Sequence, residues 1–343
     1  MRRCVDKKIL AYAFAALLLL LLFFANLFYG SIDIPAKEVL SIVTGGDCRR
    51  DVWRVVVLET RLPQALTALL AGASISVAGL LLQTLFRNPL AGPEVLGVKS
   101  GAGLGVALVM LLAGGMSGFG LGGYLAVLGG AFGGALFVIM IILLLATLLR
   151  NNMFLLIAGV AVSYMTSSAI TMLNYFSTAE GVHSYMVWGM GSFGGVTMLQ
   201  MPFFASVSLS LLFVSLLMAK PLNAMLLGDS YAVNLGVNVK AVRTTALCVT
   251  GLLTAVVTAF CGPVSFIGLA VPHVARMLLG TSNHKHLVPV TILSGACIAL
   301  LCNMLTVVPG SNSLLPLNAV TPIIGAPIII YVIINRRNLQ YFN

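Results

Sequence analysis

The sequence predicts an all-α integral membrane protein with about ten spanning helices. Three observations carry that reading. Of 343 residues, 59% are hydrophobic and 8% charged, whereas a soluble domain carries about 25% charge. Apolar runs of about 20 residues, the length a helix needs to cross a bilayer, recur along the whole chain. The charged residues collect at the ends of those runs. Ten spans use up the length and leave short loops, so the expectation is one transmembrane domain over 1–343.

The elements follow in order. Arg2, Arg3, Lys7 and Lys8 precede the apolar run 9–29. A secretory signal has such a basic start, but its apolar core is only about 7–15 residues. This run is longer and no small-x-small site follows, so it reads as a retained first span. Residues 30–61 form the longest polar loop, in which Lys37, Arg49, Arg50, Arg54 and Arg61 are offset by Asp33, Glu38, Asp47, Asp51 and Glu59. Pro35 sets a short helix start there. The second span, 62–85, stops at Arg87-Asn88-Pro89. Spans three and four, 93–113 and 121–149, are rich in glycine. Gly97/Gly101/Gly105 and Gly129/Gly133, four residues apart, are expected to let two helix backbones approach closely. Span five covers 153–175, and 177–195 reads as a re-entrant or interfacial segment on the outer side. Spans six to ten cover 202–218, 242–261, 266–279, 287–308 and 319–334.

Charge sets the topology. With the N-terminus inside, the inner connections and tails hold Arg87, Arg150, Lys220, Lys240, Arg243, Arg276, Lys285, Arg336, Arg337 and the N-terminal four. The outer side has basic residues only in the balanced loop 30–61. Basic residues gather on the cytoplasmic side of membrane proteins. Both termini and the polar stretch 220–243 are therefore expected in the cytoplasm. The net charge of +10 reports this asymmetry rather than a nucleic-acid surface.

Within the polar stretch, Leu222, Met225, Leu226, Asp229, Ala232 and Val233 recur at helical spacing. They predict one amphipathic helix over about 222–237 lying outside the membrane. Such a helix either meets a soluble partner or only closes a loop.

Enzyme chemistry finds no support. There is no His-Glu-x-x-His, no mid-span aspartate pair and no Gly-x-Ser-x-Gly. Gly92 to Ser100 resembles a phosphate loop, but Val98 stands where glycine must precede Lys99. Cys4, Cys48, Cys248, Cys261, Cys297 and Cys302 show no metal-ligand spacing and no sign of a structural disulfide. Ionisable residues inside a membrane mark ion pathways. Here they are Glu94 and Lys99 near one end of span three, and His273 and Arg276 near the inner end of span eight. No span holds a central carboxylate, which weakens the alternative of an ion-coupled secondary transporter. A membrane scaffold with no transport role is a further alternative. What remains is a pore without its own energy source and one cytoplasmic helix able to receive force.

The motifs then carry a specific resemblance. Arg61-Leu-Pro, Gln83 with Arg87-Asn-Pro-Leu-Ala91, Leu96-Gly-Val98 with Gly101-Ala-Gly, and Trp188-Gly-Met-Gly-Ser-Phe193 occur in order. Leu226-Leu-Gly228 with Leu235-Gly-Val237, Gly262 to Arg276, and Gly325-Ala-Pro327 complete the series. The chain resembles the FecCD/BtuC-type permeases of bacterial ABC importers for iron-siderophore complexes, haem and vitamin B12. The resemblance implies a BtuC-like permease fold and a homodimer in the bacterial inner (cytoplasmic) membrane, with a path between the copies moving by alternating access. It implies a cytoplasmic ABC ATPase dimer that uses the ATP, a periplasmic or lipid-anchored substrate-binding protein, and no cofactor on this chain. An iron-siderophore is the preferred cargo because it is the commoner one in the family. On this resemblance Leu222, Leu226, Gly228, Asp229, Ala232, Leu235 and Gly236 lie at the ATPase contact. His273 and Arg276 either brace the inner end of span eight or are simply satisfied there. Arg54 and Arg61 would dock the binding protein, with Arg49 or Arg50 as substitutes, and Asn151 and Asn152 match a gating loop.

The chain also departs from the pattern. Gln64 stands where a second arginine is common. Asn303 and Val307 replace an aspartate and an arginine, and Leu314 an acidic residue, so outer docking is expected to be weaker or differently placed. Lys99 stands where a small polar residue is usual, and nothing in the sequence accounts for it. The topology has a direct check. A cysteine introduced as Ser230→Cys should react with an impermeant thiol reagent only from the cytoplasmic side of the membrane, and labelling of intact cells from outside would invert the layout.

Overall fold

The computed structural model describes residues 2–112, 120–149, 152–308 and 314–334. Its helices, in chain order, are α1 (Arg2–Phe28), α2 (Ala36–Val43), α3 (Asp51–Val55), α4 (Leu62–Phe86) and α5 (Val98–Leu112). Then come α6 (Gly120–Leu148), α7 (Asn152–Phe176), α8 (Ala179–Gly189), α9 (Met201–Leu217) and α10 (Ala219–Leu226). The last are α11 (Asp229–Asn234), α12 (Val239–Cys261), α13 (Ile267–Leu279), α14 (His284–Thr306) and α15 (Leu317–Ile334). Among the described residues, seven helices are long and apolar enough to cross a membrane. The pair α9–α10 is a further candidate bent by 51°, and α5 and α13 are shorter apolar helices. The predicted spans correspond in order to α1, α4, α5, α6, α7, α9, α12, α13, α14 and α15. The interfacial segment folds as α8 followed by a 3-10 turn at Phe193–Gly195.

The bundle is arranged around α4. Its sequence carries no charge, starts with Pro63 in the first turn, and ends where Arg87 turns left-handed at φ 44° before Asn88-Pro89. The apolar window of the α3–α4 span is 89% buried, against 17% for α7. With helices α9, α12, α13 and α14 packed around it, α4 is shielded from lipid while α7 sits at the rim.

Lipid tails are as apolar as leucine, so helices in a bilayer associate through close packing rather than hydrophobic transfer. Glycine sets that packing here. A Cβ on Gly72 would lie 2.3 Å from the Gly295 carbonyl oxygen on α14, and one on Gly79 would lie 1.7 Å from that of Gly268 on α13. Between α5 and α6 the same contact recurs: a Cβ on Gly105 would lie 1.9 Å from Gly130 O, and one on Gly134 2.1 Å from Gly101 O. The predicted α6 stripe was therefore one residue off. Gly130 and Gly134 meet α5, whereas Gly129 and Gly133 have nothing within 4 Å. Both stripes share the four-residue spacing, and one residue turns the helix face by about 100°.

Two short helices explain the isolated charges. With 13 residues, α13 rises about 20 Å, less than the roughly 30 Å apolar thickness of a bilayer. The chain before it is irregular, and such backbone is tolerated at membrane depth only inside protein. Its polar groups are met. Ser192 N donates to Cys261 O at 2.8 Å, Asn318 Nδ2 donates to Pro263 O at 2.6 Å, and Phe266 N donates to Glu94 Oε1 at 3.1 Å. Phe266 is left-handed, φ 66°, which a bulky residue adopts only under constraint. Glu94 supplies part of that constraint, and Gly325 on α15 leaves room for the ring. Lys99 gains its explanation here: Nζ donates to Ser265 Oγ at 2.5 Å, pinning the same loop to α5.

The glycine contacts are testable by pairing a tight position with an open one. Gly105→Leu should destabilise the purified protein by at least about 1–3 kcal/mol, the usual cost of overpacking. Gly129→Leu should stay within about 0.5 kcal/mol, as at an unconstrained surface site. Thermal unfolding in detergent would separate the two.

Candidate functional site

The polar stretch does not fold as the single helix predicted over 222–237. After α9 the chain bends into α10, stops at Leu227, and restarts as α11 beyond Gly228. Gly228 has φ 119° with open space around its Cα, so glycine serves the backbone turn there rather than packing. The second helix ends in a Schellman motif, with Val237 N donating to Ala232 O at 3.0 Å and Gly236 N to Val233 O at 2.9 Å. Gly236, at φ 80°, is the left-handed residue that motif calls for. The two helices form an elbow.

Its faces divide differently from the sequence reading. Leu222, Ala224, Met225 and Ala232 are buried against the protein's own core. Leu226, Gly228 and Asp229 are half-buried, while Leu235 and Gly236 are exposed. The outward row consists of Leu227, Tyr231, Val233 and Leu235, each more than half exposed. Leu227, Tyr231 and Leu235 recur every four residues, a signal the sequence did contain. Of the amphipathic stripe, Leu222, Met225 and Ala232 face inward, Leu226 and Asp229 are half-buried, and Val233 faces outward.

Charge fastens the elbow to the bundle. Asp229 Oδ1 accepts from Arg87 Nη2 at 2.6 Å and its Oδ2 from Arg243 Nη2 at 3.3 Å. Arg87 Nε also donates to Met225 O at 3.2 Å. One carboxylate thus joins the end of α4, the start of α11 and the first turns of α12. The Arg87 and Asp229 side chains are 34% and 41% exposed. Pairs this open contribute roughly 0–1 kcal/mol each.

Behind the elbow lie His273 and Arg276. His273 Nε2 donates to Pro89 O at 2.8 Å, and Arg276 Nη1 donates to Gln83 Oε1 at 2.7 Å. Both side chains are buried. Gln83 Nε2 in turn donates to Leu269 O at 3.2 Å, so α4 and α13 are cross-linked twice through one side chain.

The opposite end of α4 carries the other predicted residues. Arg61 does not reach the surface: it is buried, and its guanidinium donates to Leu27 O at 2.9 Å, Phe28 O at 3.0 Å and Ile32 O. Basic side chains cap helix C-termini in this way because the last carbonyls lack intrahelical donors, and Arg61 closes α1. Arg54 is exposed. Arg49 pairs with Glu38 at 3.5 Å, and Arg50 lies 5.2 Å from the Trp53 ring centre. Gln64 Nε2 donates to Asn303 Oδ1 at 2.9 Å, and Asn303 Nδ2 donates to Asn26 Oδ1 at 2.7 Å. An uncharged chain of amides therefore ties α4, α14 and α1 together. Val307 forms an isolated antiparallel bridge with Leu314. Asn151 and the side chain of Asn152 lie outside the described residues. Among the described residues, no three His, Cys, Asp or Glu side chains gather as metal ligands.

The sequence model of the FecCD transport family matches residues 18–335. The chain belongs to the FecCD transport family. Vitamin B12 import system permease protein BtuC of Citrobacter koseri is 36% identical over 309 residues, covering 87% of this chain and 91% of the relative. Hemin transport system permease protein HmuU of Yersinia pestis is 32% identical over 332 residues, 96% of each. A solved structure assigned as a metal-chelate type ABC transporter in an inward-facing conformation aligns with TM-score 0.79 at 29% identity. It covers 95% of this chain and 98% of that one. A FecCD chain is a multi-pass membrane transport component rather than an enzyme, which agrees with the absence of catalytic motifs.

The ion cluster predicts a local effect. Asp229→Arg would set three cations together and should release α11. Amide hydrogen exchange over 228–237 should then accelerate while the amides of α4 and α14 keep their protection.

Proposed function

We propose that this chain is the membrane-spanning permease subunit of an ABC importer for a metal chelate, working as a homodimer in the bacterial inner membrane with both termini cytoplasmic. One observation carries the reading. A helical elbow, anchored to the bundle by buried leucine and methionine, turns a row of exposed apolar side chains outward on a chain with no energy source of its own. Such a row suits a groove on a soluble ATPase, with Lys220 and Lys240 at its rim.

The exposed side of α7 supports a path between two copies. Alongside Met165 and Met172 it carries Tyr164, Ser167, Ser168 and Thr171, more hydroxyl groups than a purely lipid-facing helix keeps. On this reading ATP binding draws the ATPase pair together, pushes both elbows, and re-orients the spans. Cargo arrives from a binding protein at the Arg54 end, where Lys37, Arg49, Arg50 and Arg54 are exposed cations. The cargo is a metal chelate, and an iron-siderophore is the first to test beside cobalamin and haemin, which the names of the relatives raise.

Two measurements test this. In cells expressing the chain with an ATPase and a binding protein, uptake of labelled ferric siderophore, cyanocobalamin and haemin should identify the cargo. That uptake should survive collapse of the proton gradient while ATP persists, and loss with the gradient would instead favour an ion-coupled transporter. Leu227→Asp combined with Tyr231→Asp should abolish both uptake and co-purification of the ATPase, with insertion unchanged. Normal uptake in that variant would overturn the elbow as the docking site.

A further inference from the structure

One polar cluster, centred on the buried His284, joins the elbow to the bundle and takes no part in its ion pairs. Asn223, on α10, reaches the first turn of α14. Its Oδ1 accepts from His284 N at 2.8 Å and lies 2.9 Å from His284 Nδ1, while its Nδ2 donates to Asn283 Oδ1 at 3.0 Å. Asn283 is the N-cap of α14, accepting from Lys285 N at 3.0 Å. Across the imidazole, Nε2 lies 2.7 Å from Thr84 Oγ1 on α4.

The protons can be placed. Because the backbone N–H of His284 must donate, the atom it meets on Asn223 is the oxygen. An amide oxygen only accepts, so Nδ1 bears the ring proton. Nε2 is then the acceptor. The Thr84 hydroxyl, which also lies 2.9 Å from Leu80 O, turns its proton to the ring. One neutral tautomer satisfies the chain from α10 to α4, and His284 is 1% exposed.

We infer that Asn223, His284 and Thr84 form the joint through which a displacement of α10 is carried into α4 and α14. The inference rests on the reading of the elbow as a lever moved by an ATPase. The two attachments of the elbow differ in kind. The Asp229 pairs are half-exposed and screened by salt, and they hold α11, which is set beyond the turn at Gly228. The Asn223 joint is uncharged and directional, and its His284–Thr84 end is buried while Asn223 itself is half-buried. Pulling it apart leaves the imidazole of His284 unpaired away from water, which resists separation and favours movement as a unit. It also meets α14 at its cap and α4 in its last turn, so a shift at one point reaches two spans. These are positioning residues.

The test uses the permease with its ATPase in lipid vesicles, in a background without the native cysteines. A spin label introduced by Tyr175→Cys, at the exposed end of α7, reports the distance between copies with and without vanadate-trapped nucleotide. The unsubstituted protein and Asn223→Asp, which keeps both acceptor bonds, should show the nucleotide-dependent shift. Asn223→Leu and the isosteric Thr84→Val should hydrolyse ATP within about twofold of normal, while the shifted population falls about tenfold, the size expected for one lost buried hydrogen bond. If Asn223→Leu fails to fold, Thr84→Val carries the test alone. A normal shift in the variants overturns the joint, and so does a parallel loss of hydrolysis and shift, which marks a purely structural role. If the unsubstituted protein neither binds the ATPase nor shifts, the lever reading fails and this inference falls with it.

Discussion

Backbone-to-backbone contact at the glycines of α4 is the constraint on which the other features depend. Where Gly72 meets Gly295 and Gly79 meets Gly268, helix axes come closer than any side chain would permit. In lipid that closeness supplies the attraction that water supplies elsewhere. It also brings α13 near enough for Arg276 to reach Gln83. Without that approach the buried Arg276 guanidinium would lose its bond to Gln83, and its burial would cost more. The polar links within the bundle are in this sense a product of its packing.

The elbow inherits its position from the same helix. The end of α4 holds α10 and α11 through Thr84 and Arg87, so the elbow is mounted on the part most enclosed by protein. The remaining helices grade outward from this centre to α7, whose membrane face its own chain barely covers. A helix left so open has a stability linked to whatever lies against it, whether lipid or another copy.

Much of this layout was legible in the residues. Length and hydropathy alone place the spans, because a bilayer sets one strict requirement on a helix and the chain states it repeatedly. The elbow region was legible as an exception to that rule. Its internal form was not, since a glycine at φ 119° looks in sequence like any other glycine. Of the residues expected on its outer face, Leu222 and Ala232 are buried while Leu235 and Gly236 are exposed, because apolar periodicity marks the side a helix buries in its own protein as readily as a side left open. The choice between Gly129/Gly133 and Gly130/Gly134 was hidden for a related reason: spacing gives a stripe but not its azimuth. Arg61 and Lys99 were opaque because their partners, carbonyls at and just beyond the end of α1 and the Ser265 hydroxyl, lie far off in sequence.

The amide chain of Gln64, Asn303 and Asn26 has a consequence of its own. Carboxamides neither gain nor lose protons anywhere in the range that living surroundings span. The link that ties α1, α4 and α14 at the end of the bundle remote from the elbow therefore keeps the same donors and acceptors in acidic and in neutral media.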